Sequence, residues 1–253
     1  MITFPPVPDG EAVTVSGSTY VAFRQCPAQA HARFQSIYSP ESKASFAGAL
    51  AHRIFARHLR SGPIDDLGQA AREEIGAALN PKLVALALRP SQLDEIIRQV
   101  GGLYERFRRF PTEGFETAEI ELMAEPASGV TLLGKIDAVY RDGANAVLRD
   151  WKTGNLGEPI DQLLFYALVW SLARDEPAAM VEAISLLTGE RVTRSPSPPE
   201  LQEVAGQVAA LVTALRTTWI DGHQIERRGG PWCRFCPLRD DCPEGRSATF
   251  ATG

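Results

Sequence analysis

Asp137, Asp150 and Lys152 are the residues whose types and spacing suit phosphodiester chemistry. Asp137 closes the run Gly134-Lys135-Ile136-Asp137. The second acid opens Asp150-Trp151-Lys152-Thr153-Gly154. Two carboxylates and the carbonyl of Trp151 offer oxygen ligands to a hard cation, Mg²⁺ or Mn²⁺. Such an ion activates a water and neutralises charge building on the phosphate. A lysine beside it orients the water or stabilises that charge. Asp150 and Lys152 are two apart, so on a strand they share a face. A cross-strand ion pair uses the same residue types, so the surrounding elements must decide.

Strand-like runs cover 115–124, 130–140 and 145–151. Asp142-Gly143 lies between the last two and predicts a hairpin, which brings Asp137 towards Asp150 and Lys152. Apolar periodicity predicts helices over 46–60, over 66–88 with a break at Asn80-Pro81, over 91–110 with Ser91 as N-cap, over 159–173 and over 200–219. A strand is expected near 180–187 and a loop over 194–199. Gln162 and Tyr166, i and i+4, share one face of the helix that follows Lys152. His52 lies on the first of these helices, four residues after Gly48, which leaves room for its ring. As a ligand its imidazole favours Mn²⁺ over Mg²⁺. Without repeats or a long linker, 1–253 reads as one unit. It has a helical part at 20–110, a core sheet at 111–195, and a helix with a cysteine-rich tail at 196–253.

Hydrophobic content of 44% and charged content of 23% are those of an ordinary soluble globular chain. No apolar run approaches the ~20 residues that span a bilayer. Met1 to Gly10 has neither the basic nor the apolar part of a signal peptide. A cytoplasmic protein without membrane contact is expected. The net charge of −5 is unevenly spread. Arg24, Arg33, Lys43, Arg53, Arg57 and Arg60 face only Glu41 within 21–60. Arg227, Arg228, Arg234 and Arg239 face only Glu226 within 223–239. Two basic segments on an acidic body suit a localised face for a polyanion. Gly129 to Lys135 has part of a P-loop spacing, but Ile136 stands where Mg²⁺ needs a hydroxyl, so no ATP motor is expected.

Cys26 stands alone early, and Cys233, Cys236 and Cys242 cluster late. In a cytoplasmic chain that spacing indicates a metal site before a disulfide framework. Zn²⁺ on four thiolates and a [4Fe–4S] cluster satisfy it equally.

Taken in order, His52, Gly134-x-x-Asp137, Asp150-x-Lys152-Thr-Gly and Gln162-x-x-x-Tyr166 resemble the motifs of RecB-type nucleases of the PD-(D/E)xK superfamily. The resemblance runs from about Cys26 to Cys242. It implies an α/β, restriction-endonuclease-like core, a small mixed sheet flanked by helices, with a helical N-terminal part. It implies that Asp137 and Asp150 bind the metal, that His52 completes the shell, and that Lys152 is catalytic. Gln162 and Tyr166 would support the site and the DNA. Ile136 stands where the superfamily name has proline. Glu119 or Glu121 is a further acid on the preceding strand, and the sequence does not separate them. Some RecB-type nucleases carry one early and three late cysteines around a [4Fe–4S] cluster, as do CRISPR-associated single-domain nucleases. The resemblance therefore favours iron–sulfur over Zn for Cys26, Cys233, Cys236 and Cys242, a staple joining the two ends of the chain. The implied activity is metal-dependent hydrolysis of DNA, as an exonuclease on ends or single strands, in repair, recombination or defence. A helicase or the CRISPR adaptation machinery would be the partner. Two other readings are a non-catalytic DNA-binding subunit and a zinc-stabilised interaction protein.

Overall fold

The computed structural model describes residues 2–219 and 225–250. Met1, residues 220–224 and residues 251–253 lie outside the described residues, including His223 and Gln224 at the start of the second basic segment.

The described strands are β1 (Val13–Ser16), β2 (Phe115–Ala127), β3 (Val130–Asp142), β4 (Asn145–Lys152), β5 (Ala178–Ser185) and β6 (Arg191–Arg194), and they form one mixed sheet. β2, β3 and β4 are successive antiparallel neighbours. Ala127 faces Val130, and Asp142 faces Asn145. The two turns each carry a glycine in the left-handed region, Gly129 at φ +65 and Gly143 at φ +59, a conformation that tight hairpin turns require. β4 and β5 run parallel and are buried almost throughout, as parallel strands covered on both faces must be.

Most of the site follows from how β3 shares its edges. β2 takes one edge along nearly its whole length. The other edge is divided: β1 runs parallel to Val130–Leu133, and β4 runs antiparallel to Ala138–Asp142. Among the described residues no strand pairs with Gly134–Asp137 on that side, so the sheet has a gap at the motif.

The helices are α1 (Gly17–Gln25), α2 (Pro27–Phe34), α3 (Lys43–Ser61), α4 (Leu67–Glu74), α5 (Asn80–Leu86), α6 (Pro90–Phe107), α7 (Ile160–Arg174), α8 (Pro198–Thr217) and α9 (Pro243–Phe250). One face of the sheet, through Leu148 and Ala183, packs with α1, α7 and α8. The opposite face, through Trp151 and Ile184, packs with α3, α4 and α6. These sheet residues differ in parity along their strands, so they must face opposite ways. α7 is buried from Leu163 through Trp170 because it lies between the sheet and both α1 and α8. Among the described residues no helix is long and apolar enough to cross a membrane.

Several expectations need correction. α6 begins at Pro90 with Arg89 as N-cap, so Ser91 lies in its first turn. A proline is favourable at that first position, where an N–H would have no helical partner. The stretch 66–88 breaks earlier than expected: α4 gives way to a wider turn over Ile75–Leu79 before α5. Pro81 sits in the first turn of α5, where its missing N–H does no harm. The expected strand at 180–187 occupies Ala178–Ser185. β1 and β6 are short additions to the sheet that their few residues do not announce, and the loop after β6 is confined to 195–197 before α8.

Candidate active site

The gap beside Asp137 is filled by side chains and by backbone that has left its ladder. β4 parts from β3 after the Ala138–Arg149 pair but stays with β5 as far as Lys152. The N–H of Trp151 thus loses a sheet partner, and it donates to Oδ2 of Asp137 at 2.7 Å. The carbonyl of Lys152 accepts from Leu186 on the β5 side at 2.8 Å. By the alternation of a strand, the carbonyl of Trp151 faces the open edge with its N–H.

α3 brings His52 over this edge. Its Nδ1 is 3.1 Å from Oδ1 of Asp137 and 4.0 Å from Oε1 of Glu119. The ligand atoms of His52, Glu119 and Asp137 all lie within 4.8 Å of one another, the one such group of acids, histidines and cysteines among the described residues. Glu119 reaches it in an unusual way. It lies between the pairs Ala118–Ala138 and Ile120–Ile136, hence across from Asp137, and its φ is +51. A left-handed non-glycine residue costs about 1–3 kcal/mol and persists where its surroundings enforce it. Here Arg60 of α3 donates to the carbonyl of Ala118 at 2.5 Å, clamping the peptide just before it. Glu121 is half exposed and pairs with Lys135 at 3.1 Å. The structure therefore separates the two acids that the sequence left level.

Asp150 is buried beside this group, and its Oδ2 is 2.7 Å from Nζ of Lys152. Nζ also donates to Oε1 of Gln162 at 2.7 Å, and Nε2 of Gln162 donates to the hydroxyl of Tyr166 at 2.6 Å. The chain Asp150–Lys152–Gln162–Tyr166 thus orients the ammonium from α7. Two glycines make the close approach. A Cβ on Gly17 would lie 2.9 Å from Cε1 of Tyr166. A Cβ on Gly48 would lie 3.3 Å from Oγ1 of Thr153, so the space at Gly48 admits Thr153 rather than the ring of His52.

Like charges crowd here. Burial pushes the Asp150 carboxyl up and Asp137 adds to the rise, against the opposing pull of Lys152 and His52. Burial and Asp137 likewise push Glu119 up. Burial works against a charged His52, but Asp137, Asp150 and Glu119 outweigh it and hold the imidazolium up to about 9. Burial, then Asp150, raises Tyr166, which stays a neutral hydroxyl. Carboxylates repelling one another around an imidazole, at mutual ligand distance, are a donor set that a hard divalent cation fits.

The cysteines are four free thiols, and no three of them meet as closely as the His52 group. They are nevertheless neighbours. Burial first, then Cys26, Cys233 and Cys242, push the Cys236 thiol up, while a backbone bond from Leu238 opposes the rise. Backbone N–H groups donate to sulfur at 3.4 Å from Arg228 to Cys26, from Gly230 to Cys233 and from Gly245 to Cys242. The tail is docked on the α1–α2 corner through Ala28 N–H to the carbonyl of Glu226 at 3.1 Å, and through Arg228 to the carbonyl of Arg24 at 3.2 Å. The donors suit a thiolate-bound metal group.

Residues 14–243 match the PD-(D/E)XK nuclease superfamily. A comparison with curated proteins gave no match. Among solved structures, the crystal structure of SSO0001 is similar over 94% of this chain and 90% of that one, at 14% identity and a TM-score of 0.43. The superfamily match takes in His52, Asp137, Asp150, Lys152, Gln162 and Tyr166, and by it the chain belongs to the PD-(D/E)XK nuclease superfamily.

Proposed function

We propose that the chain is a metal-dependent deoxyribonuclease of the RecB type, acting as an exonuclease on DNA ends or single strands. The observation that carries this reading is the partly open group at the gap in the sheet: His52, Glu119 and Asp137 at mutual ligand distance, beside the buried Asp150 and a lysine held by Gln162. His52, Asp137, Asp150, Glu119 and the carbonyl of Trp151 would hold Mg²⁺ or Mn²⁺. When bound, the ion activates a water and neutralises phosphate charge. Lys152 keeps its ammonium at the reacting phosphate and stabilises the charge that develops there. Gln162 fixes the direction of Nζ, and Tyr166 fixes Gln162. Asp137 has two roles: it would be a ligand to the cation, and by accepting from Trp151 it keeps β4 beside β3. Cys26, Cys233, Cys236 and Cys242 hold a [4Fe–4S] cluster in this reading, a structural staple, since hydrolysis needs no electron transfer.

End-labelled single strands and duplexes incubated with Mg²⁺ or Mn²⁺ test the activity. Stepwise shortening from an end is expected, and Asp150→Ala and Lys152→Ala abolish it. Undiminished cleavage by both variants would falsify the assignment of the site. Anaerobically purified protein should contain iron and absorb near ~400 nm. Zinc without iron would overturn the cluster and leave the nuclease reading intact.

A further inference from the structure

A hollow of about 650 Å³ opens next to the metal-ligating group, lined by Arg53, Arg57, Arg60 and Ser61 of α3, by Glu74 of α4 and by Glu119 itself. The three arginines recur at i, i+4 and i+7, so they form one stripe about 10 Å long on the helix. The hollow and the site are electrostatically continuous, since Arg60 and Arg53 both pull against the raised pKa of Glu119. Two of these guanidiniums are already holding anions. Arg53 lies 2.7 Å from Glu74, and Arg57 lies 2.7 Å from Glu73 and 3.8 Å from Glu74. Arg53 and Arg57 keep 37% and 35% of their side-chain surface exposed, so these pairs can be exchanged. Such part-exposed pairs contribute only about 0.2–1 kcal/mol. A guanidinium fork that grips a carboxylate also fits a phosphate.

We propose that this hollow seats the phosphate backbone of a nucleic-acid strand adjoining the bond to be cut, and that the carboxylate of Glu74 occupies a phosphate position there, with Glu73 holding Arg57 at the rim, until the strand displaces them. The proposal rests on the nuclease reading above and adds the path by which the strand reaches the site. The path is short. Past Arg57 the neighbouring hollow, about 350 Å³, is lined by Asp65, Asp66 and Glu73, and its charge repels phosphate.

The test is binding of a fluorescein-labelled oligodeoxythymidine to the full chain in EDTA, read by anisotropy across a salt series. Each single-strand phosphate contact contributes a slope of about −0.7 in log K against log salt. Arg53→Gln/Arg57→Gln should flatten the slope by about 1.4 and weaken binding about 25-fold at 0.1 M salt. Glu73→Gln/Glu74→Gln should tighten binding several-fold. Asp94→Asn/Glu95→Gln on α6 makes the same charge change elsewhere and should move binding less than about twofold. A folded arginine variant with unchanged slope overturns the proposal. So does a Glu73/Glu74 variant that binds no tighter than the α6 control, and that comparison decides alone if the arginine variant does not fold. Wild-type cleavage with Mn²⁺ is measured separately. Cleavage with no change in binding among the variants removes the hollow and keeps the nuclease, whereas binding changes without cleavage remove the nuclease and keep a strand-binding hollow.

Discussion

Replacing Asp150 by asparagine is expected to stabilise the metal-free protein while destroying its activity. Asp150 is 5% exposed, feels the carboxylate of Asp137 and pairs with the ammonium of Lys152. Burial first, then Asp137, move its pKa from 3.8 to about 6, so the net effect of the fold is to penalise the charged form even with Lys152 at 2.7 Å. A raised folded pKa means that the charged form costs the metal-free fold stability at neutral pH, on the order of 1–3 kcal/mol. Asparagine keeps the volume and removes the charge. The Lys152 ion pair is already counted in that net rise, and a buried amide needs hydrogen bonds of its own, so a gain of about 1–2 kcal/mol is expected, roughly 2–8 °C in melting temperature for a chain of this size. The sign has its own check. A carboxyl whose folded pKa is raised contributes its full stability below the unfolded pKa and loses it as pH rises through the folded value. The gap between Asp150→Asn and wild type should therefore be full near pH 7, shrink through about 6, and close below 3.8. Thermal melts in EDTA across that range read it directly. Added Mn²⁺ should raise the wild-type melt and barely move the variant. A variant melting below wild type at neutral pH, with a gap insensitive to pH, would refute the claim that carboxylate repulsion strains this pocket.

Four further substitutions probe the ligand group and the packing around it. Gly17→Ala puts a methyl 2.9 Å from the ring of Tyr166 and 3.4 Å from that of Phe165, both buried, and should cost about 1–3 kcal/mol with a matching loss of cleavage as Lys152 is misplaced; an unchanged melt would show that the ring yields freely. Glu119→Gln should weaken Mn²⁺ binding and cleavage at least about tenfold, as loss of an anionic ligand does, while Glu121→Gln, whose residue pairs with Lys135 at the surface, stays within about 0.5 kcal/mol of wild type; equal effects would return the two acids to parity. Glu182 is fully buried on β5 and grips Arg149 and Arg191, so Glu182→Ala strands the mostly buried Arg149 and should cost about 3–5 kcal/mol by chemical denaturation.

The parts of the fold that were legible are those with a strong local period. The helices α3, α6, α7 and α8 and the strands of the β2–β3–β4 meander lie where apolar spacing and glycine turns place them. β1, at Val13–Ser16, and β6, at Arg191–Arg194, are four residues each, too short to show alternation, and they exist because β3 and β5 offer them an edge. β1 has a further consequence that its sequence does not hint at. By taking the edge of β3 only to Leu133 it leaves Gly134–Asp137 without a strand partner on that edge, and by leading straight into α1 it sets Gly17 against Tyr166. The residues that carry chemistry stood out because their types are scarce in such apolar surroundings. Gly17, which sets the place of Tyr166, has no chemistry of its own to betray it, and Gly48 and Arg60 stand out in the sequence for other reasons, as room beside His52 and as part of a basic segment.

Glu119 shows where reading a sequence stops and why. The turn at Ser128-Gly129 sets Ala127 opposite Val130. Counted back from there without interruption, Ile120 would stand across from Asp137, and Glu119 would pass to the other side of the strand. The ladder is interrupted after Ala124, which faces Leu132, so one register step is absorbed between Ala124 and Ala127. A slip of one residue exchanges the two faces of everything beyond it. It sets Glu121 against Lys135, a charge pair, and Glu119 against Asp137, a charge clash. Left alone, that clash would disfavour the register. It is tolerated because Glu119 turns into the left-handed region with Arg60 bound at the preceding carbonyl, and because His52 lies between the two acids as a cation. A divalent ion replacing the proton on His52 would meet three ligands already facing one another, and the strain at Glu119 is then the conformational cost of holding them ready.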